Sequence, residues 1–184
     1  MDNENWKAAH KEVIQEMTDD DLICSGTGRG AIRASEALDT LGIMFKLQAQ
    51  LNDRIFEKHR LTDRSGLPLR NDSLVLTAQN ELLGANDLPN TWLRKYSEAL
   101  KDEVRELDAE LLWKWWSKDK INIQNIRVEI IDIQHFVICL AMAAGLTAEE
   151  FFRLYQAKHA VNQDRQENDY SKENKTEADN EGVK

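Results

Sequence analysis

The chain has 184 residues, 41% of them apolar, and a formal charge of −9. That length suits one domain with a hydrophobic core of its own, without disulfide or metal staples. The acidic balance excludes a nucleic-acid backbone as partner, which would demand a basic stripe, but allows a small anion held by a few cations or a metal ion.

Residues 1 to about 28 read as a polar lead-in with one short helix around Trp6–Met17. Met1–Asn5 is acidic and polar, unlike a secretory leader, and no apolar run reaches the roughly 18 residues of a membrane span. The expectation is a soluble, cytoplasmic protein with no membrane partner. The stretch Ser25-Gly-Thr-Gly-Arg-Gly30 invites a phosphate-loop reading. It lacks the Lys-Ser/Thr pair and no strand-like run precedes it, so it reads as a linker or the start of a helix. Cys24 and Cys139 show no metal spacing, which fits a reducing compartment. Cys139 lies in an apolar run and is expected to be a small core residue.

From Ala31 to about Lys58, Leu38, Leu41, Met44, Phe45, Leu47, Leu51 and Ile55 recur at three and four, which is helical spacing. Arg60–Asn71 is polar, holds Gly66 and Pro68, and reads as a loop. Ser73 is placed to cap a short helix through Leu83, with Gly84 ending it. A turn over Asn86–Asn90 follows, with Pro89 at a position that helix starts tolerate. A long helix is predicted from about Thr91 to Trp116, then a tight connection over Lys118–Asn122. The next helix runs from about Gln124 to Ala144 on a stripe of Ile126, Ile130, Ile133, Val137, Leu140, Ala141 and Ala144, and Gly145 ends it. Thr147 and Glu150 spell a capping box, flanked by Leu146 and Phe151 as a hydrophobic staple, for a helix to about Gln163. The tail from about Glu167 is polar and without periodicity, and is expected to be disordered beyond Tyr170. The fold class is therefore all-α, a bundle of four to five helices. Its parts are a polar extension over 1–30, a helical domain over 31–166 and a flexible tail over 167–184.

Glu103 and Glu106 lie three apart and project from one helical face, and Glu129 and Asp132 repeat the spacing on the next helix. Antiparallel packing, with Val104, Leu107 and Leu111 against Ile126, Ile130 and Ile133, brings the two acidic pairs together. Glutamates at this spacing are common on solvated faces. Glu129 and Asp132, however, sit in the apolar segment Val128–Val137, where an unpartnered acid costs several kcal/mol. Like charges this close push a site to bind protons or cations. All-oxygen ligands select magnesium, or manganese, over zinc, and magnesium recruits substrate phosphates as further ligands. Two ions about 4 Å apart would polarise a water and neutralise phosphate oxygens. Asp132 and His135 also echo the spacing of di-iron bundles, but those need the motif on two helices, and none of His10, His59 or His159 supplies the second. His135 reads instead as a satisfied or supporting histidine.

Glu103-x-x-Glu106 followed by Glu129-x-x-Asp132 resembles the signature of the all-α NTP pyrophosphatase superfamily, which holds the MazG-type enzymes and the dimeric dUTPases. Further segments are similar to the dimeric dUTPase branch. Met44–Asp53 resembles its first helix, whose Gln and Asn, here Gln48 and Asn52, help form the nucleoside pocket. Leu112-Trp113-Lys114-Trp115-Trp116 resembles its Trp-Lys-x-Trp segment, and Glu129–Phe136 its second acidic helix. Tyr155–Tyr170 is similar to the segment that grips the phosphates through Lys158, Asn162, Arg165 and Tyr170. The chain is a compact form, running almost directly from Phe136–Ala144 into Gly145-Leu-Thr where long members carry an insertion. It has Asp169 where the family usually has Gly and His159 where it usually has Asn.

The resemblance implies magnesium-dependent hydrolysis of dUTP, and of dUDP, to dUMP, with Glu103 or Glu106 as the base that orients the attacking water. It also implies a homodimer. Lys158, Asn162 and Arg165 share one helical face and supply what a polyphosphate needs. Gln48 and Asn52 are four apart, so their amides reach one base edge. Trp113 either stacks on the base or fills core. Two other readings stay open: a MazG-like or dCTP-directed pyrophosphohydrolase with the same machinery, and a non-catalytic helical interaction protein.

Overall fold

On the first long helix the side chains that turn inward are Phe45, Gln48, Asn52 and Phe56, spaced three, four and four apart. That is one face of an α-helix. Two of the four are amides, so the buried line runs beside the apolar stripe read from the sequence, and Met44, Leu51 and Ile55 stay exposed. The computed structural model of the chain describes residues 29–80, 84–167 and 183, with side chains from Thr40 onward save that of Asn80. The predicted helix at Trp6–Met17, Cys24, Ser25–Gly28, the end of the second helix toward Leu83, and Asp169 and Tyr170 lie outside the described residues.

By its internal contacts the chain divides into two units, Met1–Ser35 and Glu36–Lys184. Five helices are described: α1 (Arg29–Lys58), α2 (Asn71–Asn80), α3 (Leu88–Glu110), α4 (Ile123–Ala143) and α5 (Ala148–Glu167). The described residues hold no strand, only an isolated bridge between Thr62 and Pro68. The fold is all-α, as the periodicity predicts. No single described helix is long and apolar enough to cross a membrane.

Local chemistry sets most of the helix ends, and tertiary contacts set the rest. Helix α1 closes with Arg60 in the left-handed region (φ 51°), while Arg60 N donates to Glu57 O and Leu61 N to Phe56 O. This is a Schellman closure with arginine where glycine is usual, and Leu61 then packs on the core. Helix α2 starts at Asn71, two residues before the expected cap at Ser73. The reason is tertiary: the first backbone N–H, that of Asn71, is accepted by Asp53 Oδ1 of α1 at 2.7 Å, and Arg70 pairs with the same carboxylate at 3.0 Å. An orphan donor at a helix start needs one acceptor, and any element can supply it.

Pro89 is the second residue of α3, where its missing N–H costs nothing. The helix stops at Glu110, six residues short of the predicted Trp116, because Leu111 is extended (φ −87°, ψ 132°). Bulky aromatics lose rotamer freedom in a helix. With no element among the described residues burying them, Trp113, Trp115 and Trp116 pack edge-to-face on one another at 5.9 and 5.6 Å. The connection to α4 is thus a loop over 111–122 rather than the tight turn expected over Lys118–Asn122.

Asn122 caps α4, its Oδ1 accepting from Gln124 N and Asn125 N. Gly145 closes the helix at φ 82°, with Leu146 N donating to Ala141 O and Gly145 N to Met142 O. A Cβ there would stand 3.1 Å from Gln79 N and 3.2 Å from the carbonyl carbon of Ala78, so only glycine lets α2 come this near. The predicted capping box is present: Glu150 Oε2 accepts from Thr147 N, and Thr147 Oγ1 accepts from Glu150 N. Leu146 and Phe151 both pack on the second of two core clusters, beside Phe45, Ile138, Ala141 and Met142. The first cluster joins Phe56, Leu69, Leu74, Trp92, Tyr96, Cys139 and Ala143. Cys139 is core, as read from the sequence.

Candidate metal centre and nucleotide cleft

Helices α3 and α4 make the most extensive pairing among the described elements. Asn125 Nδ2 reaches Glu110 Oε1, Glu129 lies with Glu106 and Glu103, and Glu103 feels Asp132. As one chain number rises its partner's falls, so the helices run antiparallel, as the short sequence separation predicts. The apolar flank is less closed than expected, since Val104, Leu111 and Ile130 remain exposed.

This pairing brings a carboxylate oxygen from each of Glu103, Glu106 and Glu129 within 4.8 Å of one another. Asp132 adjoins them without entering that set. Partial burial, then the charges of Glu106, Asp132, Glu129 and Asp102, hold the Glu103 carboxyl above its ordinary range. Glu129 is raised by partial burial, then by Glu106, Asp132 and Glu110. Among the described residues no arginine or lysine pairs with these three glutamates; the nearby Arg105 turns to Asp102. Convergent anionic oxygens with no counter-charge among the described residues, on two helices that hold them in place, fit a hard divalent cation.

A cavity of about 370 Å³ opens beside the acids, with Glu103 and Asp132 in its lining. Its other walls include Phe56, Trp92, Tyr96 and Phe136, with Gln48, Asn52, His135 and Cys139 as polar groups. The amides are not independent. Gln48 Nε2 donates to Asn52 Oδ1 at 3.0 Å and to Cys139 Sγ at 3.2 Å. Asn52 Nδ2 donates to Asn71 Oδ1 at 3.0 Å, and Asn71 Nδ2 to Met142 Sδ at 3.2 Å. A thioether only accepts, so Met142 sets the direction of the whole row. Gln48 Oε1 is thereby left to accept from His135 Nδ1. Burial pushes the Cys139 thiol up to about 11 despite its contacts with Asn52 and Gln48.

Of the residues singled out from sequence, Gln48, Asn52, Glu103 and Asp132 line one cleft, with Glu106 and Glu129 at its acidic side. Trp113 is 76% exposed, which removes the core-filling reading, and it does not line the cleft. Lys158, Asn162 and Arg165 lie along α5 and are not among the cleft's lining residues, and Tyr170 lies outside the described residues. Asn71, Met142 and Tyr96 were missed. Tyr96 had a signal: Trp92, Tyr96 and Glu103 are spaced four and seven, one face of α3 that leads from core to acids. Asn71 had none, because its partners come from α1 and α4.

Two acidic pairs facing each other across consecutive antiparallel helices, beside a cleft of amides and aromatics, define the all-α NTP pyrophosphatase class. Within it, a family model described as dUTPase matches residues 40–151, and the chain belongs to that family. Among curated proteins it is similar to the dCTP pyrophosphatase of Enterobacteria phage T4, 31% identical over 105 residues, which is 44% of this chain and 61% of that protein. The dCTP pyrophosphatase of Enterobacteria phage LZ5 is 28% identical over 158 residues, 72% of this chain and 84% of that protein. A DNA replication protein of phage T4 is 30% identical over 99 residues, covering 39% of this chain and 25% of that protein. No solved structure matches the chain.

Proposed function

We propose that the chain is a magnesium-dependent pyrophosphohydrolase of deoxypyrimidine nucleoside triphosphates, with dUTP as substrate and dUMP and pyrophosphate as products. The observation that carries this reading is the convergence of Glu103, Glu106 and Glu129 beside the cleft that holds Gln48 and Asn52. Glu103, Glu106, Glu129 and Asp132 would hold the ion, and magnesium, or manganese in its place, would supply positive charge to the phosphate oxygens. Gln48 and Asn52 orient the base. Glu103 or Glu106 accepts a hydrogen bond from water and takes its proton as the oxygen adds to phosphorus. The bond between the first and second phosphates breaks, and no covalent protein intermediate forms. Lys158, Asn162, Arg165 and Tyr170 serve the phosphates, and Trp113 the base. Hydrolysis of dUDP belongs to the same reading.

A second reading has the support of the relatives: two of them are named dCTP pyrophosphatases, so dCTP is the rival substrate. The test is product release from dUTP, dUDP, dCTP, dTTP and UTP with magnesium. dUMP formed fastest supports the first reading and dCMP formed fastest the second. No turnover of any nucleotide, with no magnesium-dependent rise in Tm, sinks both and leaves a non-catalytic helical protein.

The reading includes a homodimer in the cytoplasm. Trp115 is 88% and Trp116 60% exposed, and Ile121, Ile123, Val128 and Ile131 also face outward. This exposed apolar surface supports burial against a second copy of the chain. Light scattering is expected to give twice the 21.2 kDa chain mass. A monomer mass at micromolar concentration would remove the dimer from the reading.

A further inference from the structure

The aromatic row Phe56, Trp92 and Tyr96 runs from the core into the cleft, with ring centroids 4.7 and 5.3 Å apart. Tyr96 is its last member and only 7% exposed. Its hydroxyl is fully buried and, among the described residues, has no hydrogen-bond partner. Buried polar groups are nearly always paired, because leaving one unpaired costs its full desolvation. The orphan hydroxyl belongs to a residue that lines the cleft.

The two amides and the thiol of the cleft are already committed to one another. Both Gln48 N–H groups donate, to Asn52 and Cys139, and Asn52 Oδ1 accepts from Gln48 and from the Cys139 thiol. None of these atoms answers the phenol. Burial holds the phenol far above its ordinary range, with Cys139 and Asp53 adding to it, so the group stays protonated and can donate. The cleft walls contributed by Phe56, Trp92 and Phe136 are flat and apolar, which suits a planar heterocycle. A neutral phenol facing such a ring donates best to a carbonyl oxygen, and every pyrimidine nucleotide carries one at C2.

We propose that Tyr96 is a base-binding residue whose Oη–H donates to a ring carbonyl of a pyrimidine nucleotide in this cleft. The inference rests on reading the cleft as the nucleotide site. Tyr96→Phe separates it from a structural role by sign. A hydroxyl that waits for ligand is a burden in the free protein, so the variant's Tm without nucleotide rises by about 2–4 °C. Affinity for dUMP and dCMP, measured by calorimetry on the full chain, falls about tenfold. Loss for both nucleotides assigns the bond to the C2 carbonyl, and loss for dUMP alone to C4. A lower Tm with unchanged affinity overturns the proposal, as does failure of the wild-type chain to bind either nucleotide. Failure of the hydrolysis reading looks different: nucleotide binding would still depend on Tyr96 while no nucleotide is turned over.

Discussion

Glu129→Gln is expected to lower kcat/KM by at least about a hundredfold while raising the Tm of the metal-free protein. The first effect follows from the ion. On the proposed reading Glu129 is one of the anionic ligands of the ion, and losing it would loosen the hold on a cation that would supply several kcal/mol to the transition state, each 1.4 kcal/mol being about tenfold in rate. The second follows from the free site. Glu129 and Glu103 are both held above the ordinary carboxyl value of 4.5, by partial burial and then by their acidic neighbours. A raised value in the folded state means that the folded chain holds its protons more tightly than the unfolded one. This contribution to stability is complete below 4.5 and is lost as pH rises through the folded values. Without metal, wild-type Tm should therefore fall from pH 5 toward pH 7 more than that of the variant, and magnesium should restore it in the wild type alone. A metal-free variant that melts below wild type at pH 7 would show that Glu129 holds the fold together rather than straining it.

Asn71→Ala should cost about 2–4 kcal/mol of stability, one of the largest effects of any single polar substitution here. Asn71 is 2% exposed, and its side chain accepts from Asn52 Nδ2 and donates to Met142 Sδ. Truncation leaves a buried donor on Asn52 without an acceptor and opens a gap beside Met142. Its backbone N–H to Asp53 survives, so the start of α2 is spared. The urea midpoint is expected to drop with an unchanged slope, since the surface exposed on unfolding hardly alters. The variant should also bind nucleotide more weakly, because Gln48 and Asn52 are no longer oriented from one end. A loss under 1 kcal/mol, with affinity intact, would mean that the amide row is held without Asn71.

The helices and the acidic pairs were legible because both depend on spacing along one chain segment. A period of 3.6 residues puts Glu103 with Glu106, and Glu129 with Asp132, whatever the rest of the molecule does. Thr147 with Glu150, and Gly145 at the end of α4, are equally local: each names its own partner within a few residues. The short separation of α3 and α4 then makes antiparallel packing nearly compulsory, and the gathering of Glu103, Glu106 and Glu129 follows from it.

The end of α3 at Glu110 could not be read the same way. Whether Trp113, Trp115 and Trp116 continue a helix depends on whether a neighbour is there to bury them, and among the described residues none is. The true start of α2 depends on Asp53, eighteen residues away on another helix. Gln48 and Asn52 stand out in the sequence through the resemblance of Met44–Asp53 to the family's first helix, but their burial and fixed direction come from Cys139, Asn71 and Met142 on other elements. The unpaired hydroxyl of Tyr96 is likewise a fact about what surrounds it. The sequence determined which faces carry charge and which carry apolar weight, because side-chain direction in a helix is a local rule. Only the tertiary structure decided which buried polar atoms find partners, because a hydrogen bond needs two groups that distant parts of the chain bring within about 3 Å.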